Sequence, residues 1–84
     1  MGGKCVEIYQ LRQFAAVAKT ENMTRAAQSL SMAQPAVSKT IRNLESELGA
    51  ELFERTGKGL RRTEQGDILL RYARAILNAE LDAR

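Results

Sequence analysis

The chain has 84 residues, 44% hydrophobic and 27% charged, which is enough for one small soluble-type domain and too well balanced for a disordered segment. It holds one cysteine and no histidine, which excludes an internal disulfide, a structural zinc site and the common Cys–His or Ser–His nucleophile–base pairs. The net charge of +3 is weak evidence for a nucleic-acid partner by itself, and its placement says more.

The opening Met1-Gly2-Gly3-Lys4 reads as a loose tail, with Cys5 an inert residue on the approach to the first helix; residues 1–6 are set apart on that basis. The start lacks a signal-peptide pattern, and no apolar run nears the roughly 20 residues that span a bilayer. A first helix is predicted from Glu7 to Thr20. Ile8, Leu11, Ala15 and Ala18 line one face, with Phe14 and Val17 widening the stripe. Asn22 is a good N-cap for a short second helix, Met23 to Leu30, whose Ala26-Ala27 pair lets another helix come close.

Ser31-Met32-Ala33 forms a tight link. The third helix opens at Gln34-Pro35, where proline's missing N–H is not needed, and Gly49 stops it as a left-handed C-cap. Along it Val37, Ile41, Leu44 and Leu48 form an apolar stripe. Pro35, Ser38, Lys39 and Arg42 form a second stripe, polar and basic beyond the proline. This helix therefore has a core face and a separate cationic face.

Glu51 to Arg55 and Leu60 to Arg62 are two short strands around a Thr56-Gly57-Lys58-Gly59 turn. From Arg55 to Arg62 the segment carries four cations and no acid. Thr63 caps a long fourth helix with Glu64 and Asp67 in its first turn. Gly66 there weakens the helix, so close packing against another element is its expected reason. The apolar girth of this helix has two readings: packing wholly on its own domain, or sharing a face with a second copy. Its length, with Ile76, Leu77 and Leu81 past the expected end of the domain, favours sharing.

The fold class is mainly α: a winged helix-turn-helix with a three-helix core and a two-stranded wing over residues 7–63, followed by a linker or dimerisation helix over 64–84. In such a fold the third helix enters the major groove, about 12 Å wide, with its cations free to reach guanine or phosphate. Gln34 sits at the end where base edges are met, and Pro35 offers apolar contact. A basic helix face is also commonly just a solvated face. Winged-helix domains sometimes bind proteins, but an acidic or apolar third-helix surface would suit that role better. For Arg61 and Arg62 the readings are flanking the hairpin or pairing with Glu64.

Thr24-Arg25-Ala26-Ala27, Ala33-Gln34-Pro35-Ala36-Val37-Ser38-Lys39, Leu48-Gly49, Leu52-Phe53-Glu54-Arg55 and Thr63-Glu64-Gln65-Gly66 together resemble the N-terminal DNA-binding domain of LysR-type transcription regulators. The resemblance runs from about Val6 to Leu77. It implies double-stranded DNA at a pseudo-palindromic operator as partner, a homodimer through the fourth helix, and a cytoplasmic, nucleoid-associated protein. It also implies a small-molecule effector bound only in a C-terminal domain that this chain lacks, making the chain a truncated fragment; no cofactor, metal or catalytic residue is implied. Carried over, Thr24 touches phosphate; Gln34, Pro35, Ser38 and Lys39 read or flank bases; Arg42 holds the backbone; Arg55 and Lys58 serve the wing. The dimerisation residues would be Leu69, Leu70, Ala73, Ile76, Leu77 and Leu81. Two positions depart from the family's habit. Ala33 lacks the hydroxyl common there, and Lys39 is a point charge where the forked arginine is common.

Overall fold

The computed structural model describes residues 6–82, with side-chain surroundings through residue 78. The element order is α1 (Ile8–Thr20), α2 (Met23–Leu30), α3 (Gln34–Leu48), β1 (Phe53–Thr56), β2 (Gly59–Arg62) and α4 (Glu64–Asp82). The predicted tail at Met1 to Lys4 and Cys5 lie outside the described residues.

The helix ends follow local chemistry. The Glu7 N–H donates 2.8 Å to Gln10 Oε1, satisfying a donor at the start of α1. Asn22 Oδ1 accepts from the Arg25 N–H at 2.9 Å and starts α2, as its side chain predicts. Three helix ends turn into the left-handed region, at Glu21 (φ 52°), Ser31 (φ 57°) and Gly49 (φ 67°). Ala33 caps α3 with no side-chain bond, in line with its missing hydroxyl. After Gly49, Glu45 Oε2 accepts the Leu52 N–H at 2.8 Å, which steers the chain out of α3 towards the wing.

The core gathers Leu11, Phe14, Val17 and Ala18 from α1, Ala26 and Ala27 from α2, and Val37, Ile41 and Leu44 from α3. Leu52, Phe53, Leu70 and Ala73 complete it. Phe14 and Phe53 meet at 5.5 Å between ring centroids, tilted by 45°, so the base of β1 is anchored on α1.

Several expectations need correcting. Leu48 is 44% exposed, not core: it sits in the last turn of α3, after Leu44 has completed the packed stripe. The buried face of α1 is rotated so that Gln10 and Gln13 are inside while Ile8 and Ala15 are only half-buried. The strands pair antiparallel with Phe53 opposite Arg62 and Thr56 opposite Gly59, so the turn is only Gly57-Lys58 and β1 begins at Phe53. Leu70 and Ala73, expected on a face shared with a second copy, are buried at 6% and 0% exposure in the domain's own core, because α4 packs along α1.

Gly66 behaves as predicted. A Cβ there would run into the carbonyl oxygen of Leu52, and its N–H donates 3.0 Å to the capping hydroxyl of Thr63. The first turn of α4 thereby lies directly on the segment that enters β1.

Candidate nucleic-acid interface

α2 and α3 pack together, with Ala26 and Ala27 buried at 0% and 3% exposure, because methyl-sized side chains let the backbones approach. On α3 the buried positions Val37, Thr40, Ile41 and Leu44 turn Pro35, Lys39 and Arg42 outward, all exposed. Ser38 and Gln34 are half-buried, and Gln34 Nε2 donates 2.8 Å to Ser38 Oγ one turn along.

The wing stands beside this face. Arg55, with Ser38 and Arg42, rims a groove whose apolar floor includes Met23, Ile41, Phe53 and Leu60. Arg55 also rims an adjoining groove with Thr24 and Gln34. Two sides of Arg55 thus connect the candidates on α2 and α3. Alternation along β1 explains its direction, since Arg55 shares a face with buried Phe53 while Glu54 points to the other face. Lys58 sits exposed at the tip, its N–H donating 3.2 Å to Thr56 Oγ1. Among the described residues none of Lys39, Arg42, Arg55 and Lys58 is held in a salt bridge, so all four cations remain available.

The two remaining wing arginines differ from them. Arg61 pairs with Glu54 at 3.7 Å, a solvated pair that fixes little. Arg62 pairs not with Glu64 but with Asp67, Nε to Oδ1 at 2.7 Å, and its Nη1 donates 2.7 Å to the Ala18 carbonyl. Sequence reasoning also passed over Arg25. It rims a polar groove with Asn22, Gly57, Lys58 and Arg61, on the side of the wing towards the start of α2.

On α4 the exposed apolar side chains are Ile68 (46%), Tyr72 (65%) and Ile76 (40%), four residues apart along one face. Leu69 and Leu77 are half-buried, and Leu81 lies beyond the residues whose side-chain surroundings are described. Ile68 and Tyr72 continue into a groove lined by Leu48, Ala50, Leu52 and Leu69. None of the described helices is long and apolar enough to cross a membrane.

Residues 8–67 match the family model described as bacterial regulatory helix-turn-helix protein, lysR family. The chain is 51% identical over 71 residues to the RuBisCO operon transcriptional regulator of Allochromatium vinosum, covering 84% of this chain and 24% of that protein. It is 43% identical over 74 residues to the HTH-type transcriptional regulator PcaQ of Agrobacterium fabrum, covering 88% of this chain and 24% of that protein. Among solved structures, a CbnR DBD–DNA complex superposes with a TM-score of 0.87 at 37% identity, covering 93% of this chain and 90% of that one. A BenM DBD complex with catB site 1 DNA gives 0.85 at 38%, covering 93% and 86%.

Proposed function

The chain belongs to the LysR family of bacterial regulatory helix-turn-helix proteins as its DNA-binding domain, and from that premise we propose how it meets DNA. α3 enters the major groove, with Gln34, Pro35, Ser38 and Lys39 against base edges and Arg42 on phosphate. Thr24 meets phosphate at the start of α2. The wing follows into the minor groove, where Arg55 and Lys58 meet the strongest negative potential.

The observation that carries this reading is the junction at Arg55, which lines one groove with Ser38 and Arg42 and another with Thr24 and Gln34. The wing thus stands directly beside α3, which supports one duplex meeting both. The relatives are transcriptional regulators; DNA binding, not catalysis, is the activity proposed for this domain, carried out on the cytoplasmic nucleoid.

A second copy docks through the exposed face of α4. Ile68, Tyr72 and Ile76, alongside Leu69 and Leu77, supply an apolar strip that water does not favour. Two-fold pairing would match a pseudo-palindromic operator with half-sites about 34–36 Å apart or a multiple of that. The chain spans 24% of the length of those relatives, so any effector binding is assigned to sequence outside these 84 residues.

The test is duplex binding against salt. Each Lys or Arg on a phosphate displaces counterions, so affinity should fall by orders of magnitude between about 50 and 200 mM salt. Affinity indifferent to salt would remove the assignment.

A further inference from the structure

A two-stranded hairpin is marginal by itself, so the direction of the wing must be set by what holds its base. Phe53 holds one strand through Phe14. The other strand is held at its last residue, Arg62. Its N–H donates 3.3 Å to Glu21 Oε2, while its own Nη1 donates 2.7 Å to the carbonyl of Ala18. The bonds are reciprocal: a side chain from the α1–α2 corner takes the strand backbone, and a side chain from the strand takes the α1 backbone.

Ala18 supplies one of the last four carbonyls of α1, which have no partner within the helix, and a cation there is favoured by the helix dipole. Nε of Arg62 also donates to Asp67 in the first turn of α4. One guanidinium thus bonds α1 and α4 from β2. At the other end of the strand, next to the turn, a Cβ on Gly59 would lie 3.7 Å from the Glu21 carbonyl oxygen, so the α1–α2 corner runs beside β2 from base to tip.

We propose that Arg62, clasped with Glu21, Ala18 and Asp67, is a positioning residue that sets the angle of the wing relative to α3 and so its fit to the minor groove. The inference rests on the wing touching DNA. The geometry makes the base sensitive. A four-residue strand is about 13 Å long, so a tilt of about 10° there moves the tip by about 2 Å, against a minor groove about 6 Å wide. Arg62 itself need not touch DNA, because its guanidinium is already engaged on two sides.

The experiment compares Arg62→Met in three backgrounds, on a duplex that the wild-type chain selects from a random-sequence library. In the wild-type background affinity falls by about five- to tenfold; with Arg55→Ala and Lys58→Ala already present the further loss shrinks to less than about twofold; with Lys39→Ala it keeps its full size. Equal losses in all three backgrounds would mean that Arg62 acts through general stability, and no loss in the wild-type background would remove its role altogether. If Arg62→Met lowers the helical circular dichroism at the binding temperature, Arg62→Lys, which keeps donors but loses the fork, replaces it under the same requirement. A wild-type chain that selects no duplex would overturn the DNA reading and the clasp with it, whereas a wild type that binds with an indifferent Arg62→Met overturns the clasp alone.

Discussion

Gln34 and Ser38 are joined before any DNA arrives, the amide Nε2 donating 2.8 Å to the hydroxyl one turn further along α3. This bond uses one of the two amide hydrogens and leaves the other, with the amide oxygen, for a base edge. A glutamine so held keeps the donor–acceptor pair that matches adenine, with less side-chain freedom to lose on binding. Ser38→Ala should therefore weaken binding about two- to tenfold when Gln34 is present, and by less when Gln34 is Ala and only the serine's own base contact is lost. Binding constants for the two single variants and the double variant test this directly. Strict additivity would mean that the two residues work separately.

Lys39 and Lys58 should fail in different ways. Lys39 stands on the outward stripe of α3 and Lys58 at the tip of the wing, both exposed. Losing a base contact costs more on the preferred site than on others, whereas losing a phosphate or groove contact costs every sequence alike. Lys39→Ala should flatten the sequence logo from a binding-site selection and reduce affinity for the best site about tenfold or more. Lys58→Ala should leave the logo unchanged while making the salt dependence shallower. A logo insensitive to Lys39→Ala would take that residue off the bases.

Much of this architecture is legible in the chain, for reasons that are local. Asn22, Pro35, Gly49 and Thr63 each mark a helix end by their own chemistry, and the two stripes of α3 follow from its 3.6-residue period. The misses come where tertiary contact decides. Leu70 and Ala73 look like free apolar girth until α1 is placed against them. Leu48 looks like core until the helix runs out beyond it. Arg62 reads as flanking the hairpin or pairing with Glu64, because the carbonyl of Ala18 lies 44 residues away in the chain and no spacing rule connects them.

Gly66 gives a stability test with an unusual sign. Replacing glycine by alanine inside a helix normally gains up to about 1 kcal/mol. At Gly66 the added methyl would meet the backbone carbonyl of Leu52, which also accepts the Thr63 N–H at 3.0 Å and cannot simply swing away. Gly66→Ala should instead destabilise the domain by about 1–3 kcal/mol, the range of overpacking. Urea denaturation at fixed protein concentration measures it. A gain in stability would show that α4 is not pressed against the entry to β1.

The two faces of α4 should separate under mutation. Ala73 is fully buried, so Ala73→Glu puts a charge in the domain's own core and should abolish folding. Ile76 is 40% exposed and lies one turn beyond Tyr72, so Ile76→Glu has water to face in a single chain. In a dimer built on this strip the same glutamate would face its symmetry mate or apolar surface, and like charges brought together oppose association. Ile76→Glu should therefore keep the helical circular dichroism of the wild type yet sediment as a monomer at concentrations where the wild type is a dimer. Its affinity for a two-half-site duplex should fall towards that for a single half-site, because the second contact no longer comes at high effective concentration. Wild-type and Ile76→Glu chains that sediment identically would place the partner surface elsewhere.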